Sequence, residues 1–129
     1  MKYHEPLTIE EAVALLADDE DARPVAGGAT LVAMMNAQLV APSALVSLRR
    51  VEGLVGLQTA ADGGIRIGAM TPHAEVAKAD LFRDGQAIVP LAAARIGHPA
   101  IRNMGTIGGS ISHADPAADY PTALTAAAA

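Results

Sequence analysis

The sequence of 129 residues contains no cysteine and no tryptophan. Without cysteine, this chain can form no disulfide, thiolate metal site or cysteine-ligated iron–sulfur cluster, and its composition is compatible with a reducing compartment. Aromatic residues make up only 2% of the chain, namely Tyr3, Phe82 and Tyr120. The core must therefore be built from small aliphatic side chains, each of which buries little area. We expect modest intrinsic stability that a ligand or partner would raise.

Positive charge is also scarce, since the chain has two lysines, a formal net charge of −5 and a pI near 5.2. There is no basic stripe of the kind that nucleic-acid binding requires. No run of about eighteen apolar residues could span a membrane, and Met1–Pro6 lacks the apolar core of a signal peptide. We expect a soluble, cytoplasmic protein that binds neither nucleic acid nor a membrane.

The first part of the chain predicts a small α/β lobe over residues 1–54. Thr8 and Glu11 form a capping-box pattern that predicts a helix over 9–17. A strand over 23–26, a helix over 31–38 and a strand over 44–48 follow. Because a helix separates the two strands, we expect them to be parallel.

The remainder, residues 55–129, predicts an α+β lobe that is incomplete. Its expected elements are a hairpin of strands over 57–60 and 65–68, a helix over 72–79 with Thr71 as N-cap before Pro72, and a helix over 90–96. One further strand is expected near the end. A sheet of three strands is marginally stable, and the closing run of alanines carries no stop signal. We therefore expect the chain to be part of a longer one.

Two glycine-pair segments, Val25–Leu31 and Gly105–Ile111, are the main candidates for a binding site. Glycine lets backbone approach a ligand closely and adopt positive φ, and a helix that follows the first pair would present free N–H groups to a phosphate. Neither G-x-G-x-x-G nor G-x-x-x-x-G-K-[ST] is present. The first segment alone is equally compatible with a sterically tight strand-to-helix turn.

The second segment offers more polar groups. The hydroxyls of Thr106 and Ser110 and the loop amides could bind a pyrophosphate, and Asp119 could accept hydrogen bonds from sugar or ribityl hydroxyls. The alternative is a glycine-bulged strand followed by a polar turn, with Asp115 or Asp119 capping a helix. A metal site at His113, Asp115 and Asp119 is a third interpretation. His73 and His98 stand alone and are expected at surface or packing positions.

Taken together and in this order, these motifs resemble the FAD-binding medium subunit of molybdenum hydroxylases, the carbon monoxide dehydrogenase and xanthine dehydrogenase group. The segments that carry the resemblance are Ala26–Leu31, Ile67–Thr71, Ile101–Ser110 and Asp115–Pro121. The resemblance implies a PCMH-type, vanillyl-alcohol-oxidase-like FAD-binding domain of α+β class. Two departures from the family are expected: these 129 residues do not include the family's C-terminal domain, and Ala29 stands where a polar residue is common.

The resemblance also implies a site. FAD would be held non-covalently between the two lobes, with its pyrophosphate clasped by both glycine segments. The implied contact residues are Ala26, Gly27, Gly28, Ala29, Thr30 and Leu31 in the first, Thr106, Ile107, Gly108, Gly109 and Ser110 in the second, with Asp115 and Asp119 beyond. No residue is expected to act as a catalytic acid or base, and no metal is expected on this chain.

The implied activity is that of an oxidoreductase subunit. Electrons would come from a molybdenum large subunit through the [2Fe-2S] clusters of an iron–sulfur small subunit, and would pass through FAD to NAD, a quinone or oxygen. Two alternatives stay open. One is a truncated, non-catalytic interaction remnant that binds partner subunits without flavin. The other is an NAD-binding dehydrogenase, although this sequence lacks the G-x-G-x-x-G fingerprint of such enzymes.

Overall fold

A computed structural model describes residues 1–128. Its N-terminal part is a parallel three-stranded sheet of β1 (Lys2–His4), β2 (Arg23–Val25) and β3 (Ala44–Ser47), in the order β1-β3-β2. Every residue of β3 is buried, as expected for a central parallel strand. The predicted parallel pairing of β2 and β3 is confirmed. Strand β1 is not among the strands predicted from the sequence, because its three residues are exposed or half-buried and show no apolar pattern.

Two helices connect these strands, α1 (Ile9–Ala17) and α2 (Ala29–Asn36). The Thr8 hydroxyl accepts from the Glu11 amide at 3.2 Å, as the capping box predicts. The Glu11 carboxylate, however, accepts from the Leu7 amide at 2.8 Å rather than from Thr8. Helix α2 begins two residues before the predicted start, directly after Gly28.

The rest of the described chain is a hairpin followed by helices. Strands β4 (Leu57–Thr59) and β5 (Ile65–Ile67) are antiparallel, which confirms the predicted hairpin. The helices are α3 (His73–Lys78), a 3-10 turn (Asp84–Ala87), α4 (Ile88–Arg95), α5 (Pro99–Met104), α6 (Ile107–His113) and α7 (Asp119–Ala126). Their shared core contains Val76, Phe82, Val89, Ala93, Ile107 and Tyr120. A separate cluster of Ala12, Ala22, Ala44, Val46 and Val51 lies beside the parallel sheet.

The second glycine segment differs from the expected strand, because it forms the first turns of α6. Thr106 is the N-cap of this helix, and its hydroxyl accepts from the Gly109 amide at 3.1 Å. Helix α7 begins at Asp119, but its N-cap is Ala118, so neither acidic residue caps it. Asp115 instead accepts from the Ala117 amide at 2.9 Å in a local turn.

Thr71 is not the N-cap of α3, a position that Pro72 takes. The Thr71 side chain is fully buried and binds the backbone of Gly56 twice. Its hydroxyl oxygen accepts from the Gly56 amide at 2.9 Å, and its O–H donates to the Gly56 carbonyl at 3.1 Å. This pair ties the start of α3 to the segment before the hairpin.

The division into lobes at residues 54 and 55 stays a prediction. Backbone bonds cross that position, since the Met70 amide donates to the Leu54 carbonyl at 2.7 Å. Within residues 1–128, no helix combines the length and apolar character needed to cross a membrane.

Candidate functional site

The first glycine loop, Ala26–Leu31, joins β2 to α2 and leaves its backbone donors free. Gly28 is the N-cap of α2 at φ 81°, a left-handed conformation that favours glycine. None of the N–H groups from Ala26 through Leu31 donates to an acceptor within residues 1–128; the first that does is that of Val32, to the Gly28 carbonyl at 3.0 Å. Free amides at a helix N-terminus are what an anionic ligand binds.

Most amides of the second glycine loop, Gly105–Ser110, are hydrogen-bonded within the fold. The Ile107 amide donates to the Thr71 carbonyl at 3.1 Å, and the Gly108 amide to the Ala69 carbonyl at 2.8 Å. The Gly109 amide is held by the Thr106 hydroxyl. This loop can therefore offer a ligand side-chain hydroxyls and a small, close surface, whereas the backbone donors lie in the first loop.

Glycine lets each of the two loops pack closely against neighbouring backbone. A Cβ on Gly27 would overlap the Met104 carbonyl group and lie 3.1 Å from the Gly105 Cα. A Cβ on Gly108 would lie 2.6 Å from both the Cβ and the carbonyl oxygen of Ala69. These glycines therefore allow backbone to pack on backbone, a role that the ligand-approach interpretation of the sequence did not foresee.

A cavity of about 510 Å³ lies between the loops. Of the residues predicted from the sequence, it is lined by Ala26, Gly27, Gly28, Ala29, Thr30, Leu31, Thr106, Gly108, Gly109, Ser110 and Asp115. The lining does not include Asp119, which is exposed at the start of α7, or Ile107, which is 4% exposed and belongs to the core. Its volume is within the range of about 300–1,000 Å³ typical of small-molecule sites.

His73 also lines this cavity and was not predicted to do so. It is 4% exposed, and its Nδ1 lies 3.2 Å from the hydroxyl oxygen of the fully buried Tyr120. Burial lowers the pKa of His73 and raises the pKa of Tyr120, so both are neutral near pH 7. The one sequence feature that could have placed His73 at the cavity is its position two residues after the Ile67–Thr71 motif.

The metal-site interpretation finds no geometric support in the part of the chain that the structure describes. No three histidine, cysteine, aspartate or glutamate side chains come together there at ligand distances. His113 and Asp115 line the cavity as exposed side chains.

Comparison with known proteins identifies the family. Residues 1–129 match the family model described as the FAD binding domain in molybdopterin dehydrogenase. The chain belongs to this family. The predicted α+β fold of a PCMH-type FAD-binding domain is thereby confirmed, as is FAD as the family's cofactor.

Individual relatives agree with this assignment. The chain is 45% identical over 120 residues to the 6-hydroxypseudooxynicotine dehydrogenase complex subunit alpha of Paenarthrobacter nicotinovorans, covering 92% of this chain and 40% of that relative. It is 40% identical over 123 residues to the carbon monoxide dehydrogenase medium chain of Afipia carboxidovorans, covering 95% and 42%. This chain thus spans about two fifths of the length of these relatives.

A solved structure shows the same likeness in three dimensions. The structure of a Cu,Mo-CO dehydrogenase in its cyanide-inactivated form superposes with a TM-score of 0.86 at 40% identity, over 94% of this chain and 42% of that one.

Proposed function

We propose that this chain binds FAD as part of the electron-transfer subunit of a molybdenum-containing dehydrogenase. The observation that carries the proposal is the row of free amides from Ala26 through Leu31, which lines a cavity in a chain of an FAD-binding family. The pyrophosphate of FAD carries two negative charges, and no lysine or arginine lies within the loop. The amides and the α2 dipole would supply the compensating charge.

The second loop would form the opposite wall. Ser110 and Thr106 offer hydroxyls, and Gly108 and Gly109 line the cavity at the start of α6. Asp115 lines the same cavity and suits a hydroxyl donor of the cofactor's ribityl or ribose part. Ile107 would support this wall from the core, and contact by Asp119 beyond the cavity stays a prediction.

Bound flavin supplies the redox chemistry, since it exchanges electrons with one-electron and two-electron partners. The protein's part is to hold the cofactor and exclude competing reactions. We propose that electrons arrive from the [2Fe-2S] clusters of an iron–sulfur small subunit, which a molybdenum large subunit feeds, and leave to NAD, a quinone or oxygen. The names of the two relatives as a complex subunit and a medium chain support a multi-subunit assembly. A cytoplasmic location belongs to the same proposal.

A charge placed at Thr30 tests the phosphate site. Thr30 is exposed, lines the cavity and is the second residue of α2. In Thr30→Glu, the carboxylate should leave α2 intact or slightly stabilised, because acidic residues suit a helix N-terminus. It would repel a pyrophosphate at short range, so FAD affinity should fall roughly tenfold to a hundredfold. Thr30→Gln is the matched neutral control and should bind within about threefold of wild type.

The measurement is titration of the full chain with FAD, followed by quenching of flavin fluorescence. Equal affinity of the Thr30→Glu and Thr30→Gln variants would contradict the phosphate site. If the wild-type chain binds no FAD but captures the iron–sulfur subunit, the alternative of a non-catalytic interaction remnant is correct. The relay itself is tested in the assembled complex, where substrate should bleach the flavin absorbance only when this chain is present.

A further inference from the structure

His73 has one ring nitrogen that the fold uses and one that it leaves available. Nδ1 is paired with the Tyr120 hydroxyl at 3.2 Å. Nε2 has no hydrogen-bond partner within residues 1–128. No side-chain nitrogen or oxygen in that range is both fully buried and without a partner, so Nε2 is at least partly accessible. Since His73 lines the cavity, Nε2 retains its access there.

The partner of Nδ1 determines which nitrogen carries the proton. Tyr120 is 0% exposed, and His73 is the side chain with which its hydroxyl bonds in the described part of the chain. A buried O–H that donates to nothing is costly, so the phenol donates to Nδ1. Neutral imidazole has one N–H, which must then be at Nε2. The nitrogen that reaches the cavity is therefore a hydrogen-bond donor.

Glycine at position 105 keeps that donor open. A Cβ on Gly105 would lie 2.7 Å from His73 Nε2 and would occupy the space in front of it. The Cα of the same glycine lies 3.1 Å from the Cβ position of Gly27, in the first glycine loop. Gly105 is therefore close to both the imidazole and the first glycine loop, and His73 and that loop line the same cavity.

We propose that His73 Nε2–H donates a hydrogen bond to an oxygen of the phosphate–ribityl chain of FAD, and that Tyr120 is the positioning residue that fixes this tautomer. The inference rests on the proposed FAD site and adds to it a donor from outside the two glycine loops. It also gives a reason for a buried histidine in a cavity whose other polar groups are hydroxyls, amides and exposed side chains.

Two substitutions separate the role of His73 as a hydrogen-bond donor from its role in packing. His73→Asn places an amide near the position of Nδ1 and can keep the Tyr120 bond, but it does not reach the position of Nε2. His73→Gln places its amide nitrogen near the position of Nε2 and restores a donor. We expect FAD affinity to fall about tenfold in the Asn variant and to recover at least in part in the Gln variant. His98→Asn, at an exposed residue outside the cavity lining, is the control and should match wild type.

Affinity is measured by fluorescence titration with FAD on the full chain, with thermal unfolding recorded for each variant. Equal FAD affinity of the His73→Asn variant and wild type would overturn this inference and leave the proposed function standing. Failure of wild type itself to bind FAD would overturn both. A loss of affinity in the Asn variant that Gln does not repair at all, together with a lowered melting temperature, would assign His73 to packing.

Nitrogen NMR of labelled histidine gives a readout that needs no substitution at His73. In wild type, the spectrum should show the neutral tautomer with the proton at Nε2, and FAD should shift that resonance while leaving His98 unchanged. In Tyr120→Phe, the tautomers should mix and FAD affinity should fall by a few-fold. A proton at Nδ1 in the wild-type chain, or an Nε2 signal that ignores FAD, would contradict the proposal even if no variant folds.

Discussion

Gly27 packs directly against the carbonyl group of Met104, with no room between them for a side chain. This contact brings the first glycine loop onto the end of α5. Gly27→Ala must therefore push backbone away from backbone, and we expect the free energy of unfolding to fall by about 1–3 kcal/mol or more. The measurement is urea denaturation followed by circular dichroism.

Gly85→Ala is the matched control for that substitution. A Cβ there would meet nothing within 4 Å, and Gly85 does not have positive φ. Its unfolding free energy should change by less than about 0.5 kcal/mol. Equal stability of the two variants would mean that the loops do not approach as closely as the structure has them.

Thr71→Val should also destabilise the fold, although it changes no volume. The substitution removes the hydroxyl that both accepts from and donates to the Gly56 backbone. The Gly56 carbonyl keeps the bond that it accepts from the Gly68 amide at 2.8 Å, but the Gly56 amide loses its acceptor. An amide left without a partner in this way costs about 1–3 kcal/mol. Thr71→Ser keeps the hydroxyl and should lose less. If Thr71→Val and Thr71→Ser are equally stable by urea denaturation, the two hydrogen bonds between Thr71 and Gly56 contribute nothing measurable to stability.

Much of the candidate site can be predicted from local patterns in the sequence. The order of strand, Gly27–Gly28 pair and helix is encoded locally, because β2 is short, Gly28 adopts positive φ and helix formers follow. The hairpin of β4 and β5 is equally local. Such features depend on near neighbours in the chain, so a single sequence predicts them.

The second glycine segment could not be placed in the same way. Its isoleucines favour a strand, in which the glycines would form a bulge. In the structure, however, the Ile107 and Gly108 amides donate to the Thr71 and Ala69 carbonyls, and the segment begins a helix. The pairing of His73 with Tyr120 is also invisible in one sequence, because 47 positions separate them. Long-range contacts of this kind decide which amides remain free, and therefore which loop can bind an anion.

The burial of His73 predicts a pH dependence of stability. Burial holds its pKa in the folded chain below the ordinary histidine value of about 6.5, so near that pH the unfolded chain binds a proton that the folded chain does not bind. The stabilisation is complete above pH 6.5 and is lost as pH falls from there toward the folded pKa, with a slope from this group of at most about 1.4 kcal/mol per pH unit.

Comparison with His73→Asn isolates this contribution from the other titrating groups. Urea midpoints at pH 7.5 and at pH 5.5 should differ more for wild type than for the variant. The same acid sensitivity in both proteins would show that His73 is protonated as readily in the folded chain as in the unfolded one.

Ligand-linked stabilisation tests where the phosphate lies. Because the amides from Ala26 through Leu31 form a continuous row without acceptors in the described chain, ADP, which carries both phosphates without the flavin, should protect the chain from thermal unfolding by itself. A ligand present at a hundred times its dissociation constant adds about 2.7 kcal/mol, which corresponds to a rise in melting temperature of roughly 8–16 °C in a domain of this size. FAD should reach that stabilisation at a lower concentration than ADP, and FMN, with one phosphate, should need the highest concentration.

Thr30→Glu should shift the stabilisation curves of all three ligands toward higher concentration, and Thr30→Gln should not. Protection by FMN at lower concentrations than ADP would place the principal contact at the flavin ring rather than at the amides of the Ala26–Leu31 loop.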